Sequence, residues 1–288
     1  MSGYAPSPRP TFDGPAPIPY ASVARHLWGD PEAGEVADWI YVSSDRIHQL
    51  VWGVPVGGGF RHSDAFRTIF AADVLYLVLQ GTMVIANPAT GEVHRIAPGE
   101  AAFFRRDTWH HAWNDDITPL RVLEFFAPPP SQGTSGSYAR MQPPLEAVHY
   151  TRVDLLGRWP MERAAAAIGQ TIWSVREHDL LWTMLGAEHP TPVGLLAATD
   201  RLTVGRVRLL PGRHMGAHSH DGDESLYVRS GVLNVRLARG ERPNWFELHP
   251  GDGFYLPRGT IHAYHNIGAE PAEFYFGVAP RYQPPEDA

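Results

Sequence analysis

The sequence predicts an all-β protein built from two copies of one β-rich domain, joined by a short, partly helical linker. Short runs of strand-forming residues, separated by turn residues, begin near residue 36, and a second such set fills the last third of the chain. Landmarks recur 152 positions apart: His110 and His262, Asn114 and Asn266. A constant offset between several landmarks indicates an internal duplication.

Four segments are expected along the chain. They are a proline-rich N-terminal arm (1–35), a first β-barrel domain (36–130), a linker with a short helix (131–195) and a second β-barrel domain (196–288). The first twenty residues are either disordered or extended around a partner subunit. Within the linker, GTSGS at 133–137 favours flexibility, and the alanine-rich stretch 161–169 favours a helix.

The composition excludes several kinds of chemistry. The chain contains no cysteine and no lysine, since all 24 basic side chains are arginine. Thiol nucleophiles, iron–sulfur clusters, Schiff-base lysines and phosphate-binding lysine motifs are therefore excluded. Histidine, carboxylates, tyrosine, arginine or a bound metal must supply any catalysis.

The charge and hydropathy patterns also limit the partners. The net charge is -7 and no basic cluster is present, so we expect no nucleic-acid partner. No run of eighteen apolar residues and no signal-peptide pattern occurs. We therefore expect no membrane partner and a cytoplasmic location.

One group of residues in the second set has the spacing of metal ligands. His218 and His220 are two positions apart, so a strand would direct both imidazoles to one face. Glu224 follows a polar turn and is expected to begin the neighbouring strand. His262 follows a second turn and is placed to be the fourth ligand. This donor set suits one divalent transition metal (Fe, Mn, Ni, Co, Cu or Zn) and does not select among them.

The spacing of these ligands resembles the two motifs of the cupin superfamily. The first motif places one glycine before the His-x-His-Glu ligands and one after them: Gly212, His218, His220, Glu224 and Gly231. The second combines Pro-x-Gly with a histidine and an asparagine: Gly251, Pro257, Gly259, His262 and Asn266. With the duplication, the chain resembles a bicupin. The resemblance implies two double-stranded β-helix (jelly-roll) barrels and a small-molecule substrate.

The N-terminal copy departs from this pattern. The ligand positions hold Thr68, Phe70, Val74 and His110, and the proline and glycine of the second motif become Arg105 and Asp107. A single imidazole does not hold a divalent ion, so we expect barrel 36–130 to be metal-free and structural. Two alternatives stay open. One is a rebuilt site from His62, Asp64, His94 and His111, and the other is an organic pocket lined by Trp109, His110 and Trp113 rather than aromatic packing.

Strand alternation suggests which neighbours face the metal. Tyr264 shares the parity of His262 and is the candidate hydrogen-bond donor or acid, beside Glu224 as the catalytic carboxylate. Leu226 and Val228 share the parity of Glu224 and would form an apolar substrate wall. Arg208 is a candidate substrate contact if its face of the strand points inward, with Arg206 beside it, although the apolar Val207 and Leu209 favour an outward direction.

Three functions are compatible with these features. The first is a metal-dependent dioxygenase or other oxygenase of an aromatic or enol-type substrate. The second is a redox-neutral isomerase or lyase acting on a sugar or keto acid. The third is a non-enzymatic ligand-binding cupin.

The resemblance also compares the chain with particular bicupins. Oxalate-decarboxylating bicupins carry arginine where this chain has Met215. Gentisate-type bicupins use the first barrel and lack the glutamate ligand. The chain therefore departs from both patterns. The resemblance further implies a homodimer.

Overall fold

The computed structural model of the protein describes residues 6–185, 189–238 and 243–282. Strands dominate it, as the sequence predicts. The strands of the first half are β1 (Ala16–Ile18), β2 (Ala24–Asp30), β3 (Gly34–Ser43), β4 (His48–Val54), β5 (Gly59–Phe60), β6 (Asp73–Gln80), β7 (Met83–Asn87), β8 (Glu92–Ile96), β9 (Ala101–Phe104), β10 (His111–Asn114) and β11 (Leu120–Ala127).

The second half continues the same texture. Its strands are β12 (Ile172–Val175), β13 (Leu181–Leu185), β14 (Thr191–Ala198), β15 (Thr203–Leu209), β16 (His214–His218), β17 (Asp223–Ser230), β18 (Leu233–Leu237), β19 (Trp245–Leu248), β20 (Gly253–Leu256), β21 (His262–His265) and β22 (Ala272–Ala279). The helices are short: α1 (Gly136–Met141), α2 (Arg163–Ile168) and 3-10 turns at Tyr20–Ser22, Pro130–Gln132, Val153–Leu155 and Glu177–Asp179.

The strands form four antiparallel sheets, two of seven strands and two of four. One seven-stranded sheet has the order β12-β9-β6-β11-β4-β3-β2, and the corresponding four-stranded sheet is β5-β10-β7-β8. The other pair is β1-β20-β17-β22-β15-β14-β13 and β16-β21-β18-β19. The same strand succession in both pairs is the expected jelly-roll duplication.

The two compact units are assembled from separated segments. The first contains the described residues of 1–8, 25–39 and 50–177, and the second contains those of 9–24, 40–49 and 178–288. The domain boundaries drawn from the sequence were continuous, and they stay predictions.

The proline-rich N-terminal stretch contains an edge strand. Within the second unit, Ala16 to Ile18 pair with β20 as an edge strand, and the Tyr20 amide donates to Asp252 Oδ1 at 2.9 Å. Pro17 is compatible with this pairing because an edge strand can leave the nitrogen of proline facing away from its partner.

The linker also holds more structure than its composition suggests. In GTSGS, the Thr134 hydroxyl lies 2.8 Å from the carbonyl oxygens of Pro128 and Pro129, and α1 begins at Gly136. The predicted helix in 161–169 is observed as α2. Later linker residues form β12, which pairs with β9, and β13, which pairs with β14.

The strand registers repeat with the sequence. Val74 lies opposite Phe104 and Phe126, and the equivalent Glu224 lies opposite Leu256 and Val278. Each of these equivalent pairs is separated by 150 or 152 positions in the chain. The two halves therefore share a backbone while differing in the side chains that fill it.

Candidate metal centre

Four side chains from three strands and one connection converge in the second unit. His218 ends β16, and it lies directly opposite His262, the first residue of β21, in the four-stranded sheet. Glu224 is the second residue of β17 in the seven-stranded sheet. His220 lies in the connection between β16 and β17. The cluster therefore draws on both sheets of this barrel.

The observed positions of His220 and Glu224 differ from the two sequence-based expectations for them. His220 is not on the same strand as His218, because β16 ends at His218. In addition, β17 is not the neighbour of β16, since the two strands belong to different sheets. The turn between them, rather than strand alternation, brings Glu224 and His220 to the same point.

The geometry of the four side chains is that of a metal site. One ligand atom from each residue can be chosen so that all four lie within 4.8 Å of one another. Glu224 Oε2 is 3.0 Å from His262 Nε2 and 3.3 Å from His220 Nε2. All four residues are buried, and His218, the least buried, is 8% exposed.

Backbone carbonyls fix the direction of two imidazoles. His218 Nδ1 lies 2.8 Å from the Gly216 carbonyl oxygen, and His262 Nδ1 lies 3.0 Å from that of Thr260. Each Nδ1–H donates to its carbonyl, which leaves the Nε2 lone pair directed to the centre. Burial, with a further contribution from the neighbouring His262, lowers the pKa of His218 to about 3. This imidazole is therefore neutral and able to bind a metal at neutral pH.

Tyr264 holds the carboxylate ligand. Its hydroxyl donates a 2.7 Å hydrogen bond to Glu224 Oε1, and both side chains are fully buried. Burial and the adjacent carboxylate raise the pKa of Tyr264 well above its ordinary value. Burial alone would raise the pKa of Glu224, but His262 and His220 outweigh it and lower that pKa well below its ordinary range. Glu224 is thus an ionised carboxylate with Oε2 directed to the imidazoles.

The side chains fit a divalent transition metal. Glu224 Oε2 and His262 Nε2 are buried and make no hydrogen bond within the described residues. Both atoms carry lone pairs, and unpaired buried polar atoms are costly. A cation bound between them would satisfy both. Three imidazole nitrogens and one carboxylate oxygen form a donor set that Mn, Fe, Co, Ni, Cu and Zn accept.

The N-terminal unit fills the equivalent positions differently. There Phe70 packs against the His110 ring with centroids 5.0 Å apart, and Val74 is fully buried. Within the described residues, the group of four in the second unit is the one histidine and acidic cluster with metal-site geometry. That the first barrel is metal-free stays a prediction.

The alternative ligands suggested for the first unit are engaged with separate partners. His62 Nδ1 lies 2.7 Å from His111 Nε2, whereas His94 Nε2 lies 2.6 Å from a Glu92 carboxylate oxygen. Trp109 packs edge-on against His62. Asp64 is exposed. These residues therefore do not form one ligand group with Asp64 in the described structure.

Other predicted site residues occupy varied places. Arg208 is exposed on the face of β15 opposite the buried Val207 and Leu209, so the structure does not place it at the site. Strict alternation of the strand is the reason. Leu226 and Val228 are fully buried in the core of the second barrel together with Tyr264. Their role as a substrate wall stays a prediction.

Tyr282 is a site residue that sequence reasoning missed. Its ring stacks on His220 with centroids 4.9 Å apart and on Phe276 at 5.6 Å. Burial and Glu224 raise its pKa far above the ordinary value. Tyr282 lies outside both motifs, three residues after Ala279. The sequence signal that could have indicated it is an aromatic residue directly after the last predicted strand.

The fold and the four clustered side chains together define a two-barrel protein of the jelly-roll class with a candidate metal site. Residues 205–278, which contain all four ligands, match the family model described as "Cupin domain". The second barrel thus contains a cupin domain, and the repeated strand order of the first half is consistent with the two-barrel cupin architecture that the motifs predict. A search of curated proteins finds no match.

Solved structures of low identity share this fold. A putative glyoxylate-induced protein from Pseudomonas aeruginosa has a TM-score of 0.65 and 16% identity, covering 98% of this chain and 96% of that one. Lactobacillus farciminis oxalate decarboxylase in a formate complex has a TM-score of 0.61 and 15% identity, with 98% and 90% coverage. Protein Ylba from E. coli has a TM-score of 0.61 and 10% identity, with 96% and 94% coverage. At these identities the likeness concerns the fold.

The described helices are also informative about membranes. None of them combines the length and apolar character that crossing a bilayer requires.

Proposed function

We propose that this protein is an enzyme that uses one divalent transition metal, held by His218, His220, Glu224 and His262, to act on a small organic molecule. One observation supports this proposal most strongly. Glu224 Oε2 and His262 Nε2 are buried without a hydrogen-bond partner among the described residues, and they lie next to two further imidazoles. A bound metal would supply Lewis acidity, and four protein ligands leave up to two positions of an octahedral ion for other molecules.

The protein groups at this site have definable tasks. Tyr264 fixes one Glu224 oxygen through its 2.7 Å hydrogen bond, so that the other oxygen keeps its direction. The Glu224 carboxylate is the group we assign to proton transfer, with Tyr264 as the residue that positions it. Leu226 and Val228 are proposed to make the inner wall of the substrate pocket apolar.

For the reaction, we favour an oxygenase of an aromatic or enol-type substrate. Tyr282 supports this choice, because its ring extends the site from His220 to Phe276 with stacked aromatic surface. A flat conjugated substrate suits such a surface, since aromatic rings prefer offset stacking. A bound transition metal would supply the Lewis acidity and the oxygen activation that such a reaction needs.

A redox-neutral reaction on a sugar or keto acid is the second candidate. The buried Tyr264–Glu224 hydrogen bond favours it, because a fixed phenol–carboxylate pair suits proton transfer without oxidation. The oxalate decarboxylase structure of the same fold also supports it, by analogy of fold alone.

The first experiment measures metal content by plasma mass spectrometry. Wild type should hold about one equivalent, and His218→Ala should lose it. His249→Ala is the matched control, because that imidazole is 59% exposed in the same unit. No metal after reconstitution of the wild type would contradict the proposed enzyme and favour a ligand-binding cupin.

Oxygen consumption then separates the two reactions. Metal-loaded protein is supplied with catechols, enols and keto acids in an oxygen electrode and, in parallel, under nitrogen. Oxygen uptake that requires His218 would establish the oxygenase. Turnover under nitrogen would instead establish the redox-neutral alternative.

We also propose a homodimer in a cytoplasmic setting. One chain has a mass of 31.9 kDa. Light scattering coupled to gel filtration should therefore give about twice that value, and a value for a single chain would contradict the dimer.

A further inference from the structure

Two carboxyl groups are buried in the N-terminal unit without protein partners. Asp38 on β3 is 8% exposed and Glu124 on β11 is 7% exposed. Within the described part of the chain, neither makes a hydrogen bond or an ion pair. Burial raises the pKa of each to about 8. Both groups are therefore mostly protonated at neutral pH, and a cation bound between them would favour their ionised forms.

Both carboxyls lie on the inner face of the barrel. Glu124 lies directly opposite Tyr76, and Phe126, two residues further along β11, packs against Phe70. Phe70 in turn packs against His110, the residue equivalent to a metal ligand. Asp38 alternates with Trp39, whose ring is covered by the Arg121 guanidinium at 3.8 Å. In addition to burial, the Asp38 carboxyl acts electrostatically on both Glu124 and Tyr76 and helps to raise their pKa values, which places it beside them on the inner face.

Aromatic rings surround this position. Tyr76 lies 5.3 Å from Trp52 and 5.2 Å from Phe104, measured between ring centroids. Phe60 contacts Trp52 at 5.4 Å. The Trp52 Nε1 atom is buried and has no hydrogen-bond partner in the described structure. The Tyr76 hydroxyl lies 3.2 Å from His110 Nε2 and so satisfies that imidazole.

Among the described residues, this interior lacks a positive charge that could neutralise the acids. His110 is buried and its pKa is lowered to about 4 by burial, so the imidazole is neutral. The Arg121 guanidinium covers the Trp39 ring, and the chain has no lysine. Two carboxyls without ionic partners beside a cluster of aromatic rings are complementary to an organic cation.

We propose that the interior of the N-terminal barrel binds a small organic cation with N–H donors, of the primary ammonium or guanidinium type, between Asp38 and Glu124. The N–H donors are inferred because both carboxyls lack hydrogen-bond donors. The second barrel does not offer this site, because Leu226 and Phe276 occupy the positions of Tyr76 and Glu124. The site is independent of the metal centre.

Calorimetric titration of the full-length protein tests the proposal with three probes. Propylammonium is the expected ligand, 1-propanol is its neutral counterpart, and tetramethylammonium is a cation without N–H donors. Propylammonium should bind at least ten times more tightly than either of the others. Equal binding of 1-propanol, or no binding of propylammonium at millimolar concentration, would overturn the proposal.

Conservative variants locate the binding. Glu124→Gln and Asp38→Asn keep the side-chain shapes, and each should weaken propylammonium binding at least tenfold. Glu35→Gln is the matched control, because Glu35 is an exposed carboxylate on the same strand as Asp38. Thermal unfolding shows which variants are folded. Undiminished binding by either folded variant would overturn the proposal.

A metal-free variant separates this site from the metal centre, to which an amine could also bind. His218→Ala should bind propylammonium as tightly as wild type. Loss of binding in His218→Ala would overturn the proposal and assign the amine to the metal.

Discussion

The two barrels of this protein place acidic side chains at different points of one scaffold. In the second barrel, Glu224 lies opposite Leu256 and Val278 and faces three histidines. In the first barrel, the equivalent residue Val74 is apolar and lies opposite Phe126. The buried acid there is Glu124, two residues before Phe126 on the same strand. One acid is surrounded by imidazoles, whereas the other is surrounded by aromatic rings.

This contrast teaches that scaffold and site are encoded separately. The turn after β6 and the turn after β17 keep glycines of positive φ, Gly81 at 75° and Gly231 at 71°. The asparagine side chains of Asn114 and Asn266 both donate 2.8 Å bonds to a carbonyl four residues later. The turn glycines and the asparagine hydrogen bonds are thus the same in both barrels, while the interior side chains differ in charge and chemistry.

The largest expected effect comes from replacing one of the two equivalent histidines, His262 of the second barrel, and comparing it with His110 of the first. His262→Ala should reduce bound metal from about one equivalent to below a tenth, because it removes one imidazole and leaves a buried carboxylate poorly compensated. His110→Ala should leave the metal content unchanged. Plasma mass spectrometry on both variants makes the comparison. Metal loss in His110→Ala would show that the first barrel contributes a site.

The next effect is a pH dependence of stability from the first barrel. Glu124 has a folded-state pKa of about 8 against an ordinary value of 4.5, raised by burial and by Asp38. Its contribution to stability is therefore complete below pH 4.5 and is lost as the pH rises toward 8. A folded-state pKa that lies one pH unit above the unfolded-state pKa corresponds to about 1.4 kcal/mol of unfolding free energy.

Urea unfolding at pH 5 and pH 8 measures this effect. Glu124→Gln should lose markedly less stability than wild type between the two values. The facing groups are Asp38, Tyr76 and the neutral His110, and of these Asp38 titrates in the same direction and keeps part of the slope. Glu35→Gln should retain the wild-type slope. An unchanged slope in Glu124→Gln would contradict the burial of an ionisable acid there.

A smaller effect is expected from Tyr264→Phe. The substitution removes the 2.7 Å bond to Glu224 Oε1 and leaves that oxygen buried without its donor. Metal affinity should fall about tenfold to hundredfold, as for other partners of metal ligands. Competition with a chromogenic chelator measures it, with Tyr227→Phe as a control on the same barrel. An unchanged affinity would show that Tyr264 does not position Glu224.

The smallest effect concerns the turn before His262. Gly259 has φ of 79° and open space where a Cβ would lie, whereas its counterpart Asp107 adopts φ of 66° with a side chain. Gly259→Ala should lower the free energy of unfolding by about 1 kcal/mol, since only the backbone conformation is penalised. Gly259→Asn should lower it less, because asparagine tolerates this region better. Equal losses in urea unfolding would contradict this explanation.

Local patterns predicted much of the fold and the ligand set. The runs DVLYLVLQ and AEFYFGVA are strands because β-branched and aromatic residues favour a pleated, buried surface. The ligands followed from motif spacing. The pairing of the N-terminal residues with β20 was not predictable, because the proline-rich composition gives no partner for an edge strand. The position of His220 in a turn was also not predictable, because the spacing of the motif does not show where β16 ends.

By itself, the sequence determined the duplication, the all-β class and the identity of the four residues of the candidate metal cluster, because these depend on residue type and spacing. Only the tertiary structure decided that Tyr264 bonds Glu224, that Tyr282 stacks on His220, and that Asp38 and Glu124 share a partnerless interior. These relations join residues far apart in the chain. They arise only when the sheets fold over one another and fix which side chains meet.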